Sequence, residues 1–190
     1  ATVQLGKLGV QSIVNSMGVF VSAAFAAVNR IDDFAYMPQQ NIAHAMTALM
    51  AQNKGAKKTD RIKAAFRCGM KIEIFYGIFI FFVCFFFAHP LMQLFSNDPV
   101  VCKHGVTYLK LISLMYLFPA VTNGVQGYFR GIGDLKVTLI SSFVNMSVRV
   151  VFAAVLVFHF SLQIEALPFS YLAGWIGMLV AEVPLLLRKL

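Results

Sequence analysis

The sequence runs to 190 residues, of which 59% are apolar and 13% charged, with a mean hydropathy of +0.74 and a formal net charge of +8. A soluble domain carries about 45–50% apolar and about 25% charged residues, so this chain departs from that in both directions, and the same figures exclude disorder, a coiled coil and a collagen-like rod. They point to an all-α polytopic membrane helical bundle. A crossing uses roughly 20 apolar residues, so six crossings use about 120 and leave no room for a separate soluble domain. A single transmembrane lobe over residues 1–190 is expected. Cys68, Cys84 and Cys102 are widely spaced and form no CxxC motif. The opening Ala1-Thr2-Val3-Gln4 has neither a Met nor a signal pattern, so an interior piece of a longer chain or a processed product is expected.

Apolar runs mark about six transmembrane helices, at residues 5–16, 21–51, 66–88, 101–127, 135–158 and 167–187. The first is too short to cross a bilayer alone, and by hydropathy residues 8–28 could be one uncharged helix, but a break at Gly18 is preferred on the motif pattern given below. In the second span Arg30, Asp33, Met37, Gln40, His44 and Thr47 recur at three- and four-residue steps, on one helical face that avoids lipid. Arg30 and Asp33 stand one turn apart and can pair, which serves either a polar cavity or a lock between two helices. Asp33 is the deeply placed carboxylate the pattern offers. The third span ends in a phenylalanine cluster, Phe79 to Phe87, expected to face lipid or packing partners.

In the fourth span Tyr116, Asn123, Gln126 and Arg130 form a gentler stripe, and Pro119 between them removes a backbone hydrogen bond and predicts a kink, hence a hinge. The fifth carries Thr138, Ser142, Asn145 and Arg149 at helical spacing. Arg149 sits near mid-span, needs an acceptor from another helix, and has no obvious acid placed for it. In the sixth, Tyr171, Trp175, Met178 and Glu182 share a face, with the two aromatics read as an interfacial belt and Glu182 as satisfied by Arg188 or headgroup water.

The basic residues fall on one side. Lys54, Lys57, Lys58, Arg61, Lys63, Arg67 and Lys71 lie between the second and third spans, Arg130 and Lys136 flank the fourth-to-fifth connection, and Arg188 and Lys189 follow the sixth. Excess Lys and Arg mark cytoplasmic loops, so a plasma-membrane protein with a cytoplasmic C-terminus is expected. The charge then sets topology and meets anionic lipid heads, and no nucleic-acid partner is expected. HExxH, GxSxG and P-loop patterns are missing, so no enzyme, no catalytic residue and no metal site is expected.

Three motif groups carry a resemblance. Asn15-Ser16-Met17-Gly18, the run Ala26 to Pro38 through Asn29-Arg30-Ile31-Asp32-Asp33, and Gln52-Asn53-Lys54-Gly55-Ala56 with Arg61 form the first. Phe95-Ser96-Asn97-Asp98 and Arg130-Gly131-Ile132-Gly133-Asp134 are the others. In order and spacing the chain resembles the C-terminal lobe of the multidrug and toxic compound extrusion (MATE) family, helices seven to twelve. The resemblance implies a twelve-helix transporter of two lobes, with the N-terminal lobe absent here, that exports amphipathic organic cations by alternating access coupled to inward Na+ or H+. It implies no bound cofactor, and a coupling site in the missing lobe, since no acid stands in the segments corresponding to helices seven and ten. The expected partners are the lipid bilayer, small amphipathic organic cations and that N-terminal lobe. Cleft candidates are Arg30, Asp33, Tyr36, Met37, Gln40, Tyr116, Asn123, Gln126 and Arg149, with Pro119 as hinge; nine methionines and many aromatics supply adaptable surface. The competing readings are a lipid or polysaccharide flippase of the related superfamily, encouraged by Arg30 and Arg149, and a non-transporting structural subunit.

Overall fold

The computed structural model describes residues 2–160, 162 and 164–189, with side chains from residue 8 onward. Among the described residues eight helices follow one another: α1 (Thr2–Ser16), α2 (Val19–Gly55), α3 (Thr59–Phe86), α4 (Ala88–Gln93), α5 (Pro99–Ser113), α6 (Leu117–Gly131), α7 (Leu135–Phe158) and α8 (Ala166–Leu187). The expected spans recur in order, with two splits. A short α4 follows the third span, and the fourth is two helices, α5 and α6, bent by 51°. The break lies at Leu114–Tyr116, just before Pro119, which has no N–H to offer the carbonyl of Met115. Residues 112–118 bond at three-residue spacing instead, as in Met115 N to Ile112 O and Phe118 N to Met115 O, both at 2.9 Å.

The first span does end at Gly18, whose φ of 102° is one an L side chain rarely adopts, so α1 and α2 are separate helices. α3 begins seven residues before the expected start, because Arg61 and Lys63 are good helix formers that an apolar-run criterion leaves out. α3, α7 and α8 are each long and apolar enough to cross a membrane, and the bent α5–α6 pair makes a fourth. α2, with 37 residues, is long enough but carries the polar stripe.

The residues that carry the family resemblance build ends of helices. Asp98 caps α5, accepting from Val100 N at 2.8 Å and Val101 N at 3.2 Å, with Pro99 in the first turn. Gly133, at φ 77°, closes α6: Asp134 N bonds Phe129 O at 2.8 Å and Ile132 N bonds Tyr128 O at 2.9 Å. Lys58 N returns to Asn53 O at 2.9 Å across the turn that joins α2 to α3. The basic ends meet in space. Lys54 Nζ donates to Ile132 O, Tyr128 OH donates to Lys189 O at 3.3 Å, and Lys189 pairs with Asp134. The hydrogen bond from Lys189 holds the Asp134 carboxyl below the usual carboxylate range.

Two apolar cores fill the bundle. One joins α1, α2, α5 and the start of α8; the other joins α2, α3, α6 and the end of α8. Phe75, Phe79, Phe82 and Phe86 of α3 and Leu139, Phe143 and Val151 of α7 are exposed, the surface expected to face lipid. Where α2 crosses α6 the backbones nearly touch, and Thr47 Oγ1 donates to both Ala43 O (2.8 Å) and Gly127 O (3.2 Å). A Cβ on Gly127 would stand 2.9 Å from Ala43 O, so small residues set this crossing. Gly127→Val is expected to lower stability by about 2 kcal/mol through forced helix separation, read as a lower thermal midpoint of the detergent-solubilised protein.

Candidate functional site

Helical periodicity turns four sequence stripes toward one space. α2 contributes Asn29, Asp32, Asp33, Tyr36 and Gln40; α6 contributes Pro119, Thr122, Asn123 and Gln126; α7 contributes Ser142, Asn145 and Arg149; α8 contributes Tyr171, Trp175 and Met178. Together they line a cleft of about 420 Å³. The polar residues on these helices therefore converge where lipid is absent, as the high energy of an ionisable group in hydrocarbon requires.

Asp32 is the deep carboxylate of this wall, only 5% exposed. Tyr116 OH donates to its Oδ1 at 2.5 Å, across the α2–α6 interface. Asp33, the residue the sequence pattern offered, is exposed on the same wall. The two are neighbours, and about 100° of helix turn decides which is buried. Asp32 falls on the face of Val28, Ala35 and Gln39, which packs into the bundle. Two further acids are fully buried and belong to no expectation of depth: Glu73 of α3, and Glu182 of α8, which accepts from Ser141 Oγ at 2.5 Å. Ser141, and not Arg188, is the partner of Glu182 among the described residues.

Arg149 shares the cleft with Asp32, whose charge acts on it, and lies over the ring of Tyr171. An acid for Arg149 is thus present in this chain, although no direct ion pair forms; among the described residues Lys189–Asp134 is the pair within bonding distance. Trp175 and Tyr171 do not form an interfacial belt. Both are 8% exposed, and they build an aromatic wall with Tyr36, whose ring stands 6.5 Å from Trp175 and edge-on to Tyr116 at 5.8 Å.

Of the expected cleft residues, Asp33, Tyr36, Gln40, Asn123, Gln126 and Arg149 line this space, and so does Pro119. Tyr116 sits behind it, 1% exposed, holding Asp32. Arg30 and Met37 lie outside. They are exposed roughly a quarter turn around α2 from the lining face, and Arg30 makes no ion pair with Asp33. Gln126 Nε2 bonds Ser142 Oγ at 3.2 Å and closes the floor of the cleft. Thr122, Ser142 and Asn145 are lining residues that single-helix stripes underweighted; stripes on three helices of matching polarity were the signal for them.

The family model described as MatE matches residues 1–155. Over 150 residues the chain is 25% identical to a probable multidrug resistance protein NorM of Thermotoga maritima, covering 78% of this chain and 31% of that protein. Over 176 residues it is 28% identical to the probable multidrug resistance protein YoeA of Bacillus subtilis, covering 92% and 36% respectively. The chain spans about a third of the length of the curated relatives it matches. Among solved structures, a MOP superfamily transporter of Pyrococcus furiosus Vc1, whose binding pocket of reversed polarity suggests a different function for that protein, superimposes with a TM-score of 0.91 at 17% identity, over 99% of this chain and 43% of that one. A likeness at that identity is one of fold. With residues 1–155 of 190 matched, the chain belongs to the MatE family.

Proposed function

We propose that this chain is the C-terminal lobe of a membrane efflux antiporter and forms one wall of the path for amphipathic organic cations, moved by alternating access and driven by Na+ or H+. The reading pairs the lobe with an N-terminal lobe that carries a coupling acid, and sets the basic end of the bundle, with the C-terminus, toward the cytoplasm of a plasma-membrane protein. The observation that carries it is the charge of the cleft. Its one lining cation among the described residues, Arg149, stands opposite Asp32 and under Tyr171, while Asp33 on the same wall has no cationic partner. A lipophilic cation entering this space finds an unpaired carboxylate beside Tyr36 and Trp175, the chemistry that aromatic faces and a counter-ion supply together. The lipid or polysaccharide flippase requires an excess of positive charge; Arg30, which encouraged it, is outside the cleft. A scaffold without a substrate has no use for polar stripes converging from four helices.

Binding of tetraphenylphosphonium to the complete protein in lipid nanodiscs tests this. Asp33→Asn is expected to weaken it about tenfold, or about 1.4 kcal/mol, with binding of a neutral aromatic analogue unchanged. Equal affinity in both proteins would count against the cleft as a cation site.

A further inference from the structure

Below the cleft floor lies a second polar layer that the cation path does not use. Beyond Gln126, Ser142 and Met178, the next turn of each helix carries another polar or charged group: Arg130 on α6, Thr138 and Ser141 on α7, and Glu182 on α8. Glu182 and Ser141 are 0% exposed. Three atoms of this layer, one from each helix, are buried without a hydrogen-bond partner: Arg130 Nε, Thr138 Oγ1 and Glu182 Oε2. Buried polar atoms are normally satisfied, and three orphans converging at one level of a membrane bundle mark a place where something small and polar sits.

The surroundings decide what that is. Glu182 Oε1 accepts from Ser141, and the Gln126 amide that bonds Ser142 also faces the carboxyl, so the layer connects with the cleft through its floor. On α6 the groups that titrate or carry charge near Glu182 are Arg130, whose charge acts on it, and Tyr128, engaged with Lys189 O. α7 presents only hydroxyls here, and Arg149 is two turns away toward the cleft. α5 meets α8 at the other end, where Tyr108, Leu109 and Ile112 join Leu167, Tyr171 and Trp175 in one core. Past the end of α8, Arg188 is exposed and Lys189 is held by Asp134. The apolar core of Met46, Met50, Phe66 and Leu186 closes the side toward α2 and α3. A metal cation is poorly served by a carboxylate that faces a guanidinium and has two hydroxyls for company. A proton needs one free carboxyl oxygen, which Oε2 supplies, and polar neighbours to pass it on, here Arg130 and Thr138 on one side and Gln126 and Ser142 on the other.

We propose that Glu182 is a proton-binding site within this lobe, exchanging its proton with water beside Arg130 and Thr138 on the basic side and with water in the cleft past Gln126 and Ser142. The step is simple: an O–H bond forms at Glu182 Oε2 as a hydronium gives up its proton, and the same bond breaks when the proton passes to water in the cleft. The use of that proton to drive export rests on the efflux reading; its binding does not.

Infrared difference spectroscopy of the complete protein in lipid, titrated with pH, reads the site without a substrate. The expected result is a carbonyl band of a protonated carboxyl group that disappears as pH rises, shifts in D2O, and is lost in Glu182→Gln. Ser141→Ala keeps the carboxyl and removes its hydrogen bond, so the band should move to higher frequency. A wild-type spectrum from which Glu182→Gln removes no titrating carbonyl band, or a Glu182 band that Ser141→Ala leaves in place, overturns the proposal. In proteoliposomes where a pH gradient drives organic-cation flux by the wild type, Glu182→Gln is expected to lower that drive. Full pH-gradient drive in that variant overturns the use of this proton in export, and the carbonyl band decides the binding site itself. A wild-type protein that shows the band and moves no organic cation would sink the efflux reading and leave the proton site standing.

Discussion

Replacing Arg149 with Met is expected to lower stability by about 3 kcal/mol and to reduce transport by the complete protein more than tenfold. Arg149 lies over the Tyr171 ring and shares the cleft with Asp32, whose carboxylate is buried and accepts from the Tyr116 hydroxyl. Removing one member of a buried charge couple leaves the other without compensation, and that is the costly event, more than the loss of the attraction itself. The partner substitution separates the two contributions. Asp32→Asn combined with Arg149→Met should recover at least half of the lost stability, because both charges have then gone. Additive losses in the double variant would mean that Arg149 is held by Tyr171 and the packing around it, independently of Asp32. Thermal unfolding of the purified variants in detergent, run beside the wild type, gives the answer.

The second large effect concerns the break between α5 and α6. Pro119→Ala restores an N–H that can donate to Met115 O, and so favours a continuous helix through Leu114–Tyr116. The 51° bend is packed as it stands: a Cβ on Gly77 of α3 would lie 3.1 Å from the Ala120 side chain and 3.4 Å from Tyr116 O, so α3 leans directly on the joint. Tyr116, which holds Asp32, is the last residue before α6, so any change of bend is transmitted to the buried carboxylate. Turnover should fall about tenfold in Pro119→Ala while the dissociation constant for tetraphenylphosphonium changes less than twofold, because a hinge affects interconversion of states and the substitution removes no charged or polar side chain from the cleft. Stopped-flow flux and equilibrium binding on the same preparation separate the two. Unchanged turnover would make Pro119 a passive break.

Much of the fold was legible because membrane helices announce themselves by apolar length, and the all-α class, the order of spans and the break at Gly18 follow from that and from the family pattern. What apolar length leaves out is equally physical. Arg61 and Lys63 extend α3 because a charged helix end outside the hydrocarbon is still a helix. The α5–α6 break needed the local hydrogen-bond pattern to place it at residues 114–116, a turn ahead of the proline that causes it. The cleft was half legible. Periodicity brought Asp33, Tyr36, Gln40, Asn123, Gln126 and Arg149 to one wall, and it cannot tell a stripe that faces a cavity from one displaced by a quarter turn, as with Arg30 and Met37. The choice between Asp32 and Asp33 depends on which side of α2 meets Tyr116, a contact 84 residues apart in sequence. The most distinctive motifs, around Asn53, Asp98 and Gly133, turn out to close helix ends. They identify the family because they fix the geometry of the lobe, and they stand away from the chemistry in the cleft.

The most direct test of the whole account is gradient-driven flux. The complete protein is reconstituted in liposomes, an inward Na+ or proton gradient is imposed in turn, and export of tetraphenylphosphonium is followed beside flipping of an anionic lipid-linked sugar. The account predicts cation export that depends on one of the two gradients, and no flipping. Flipping of the anionic lipid with no cation export under either gradient would contradict it.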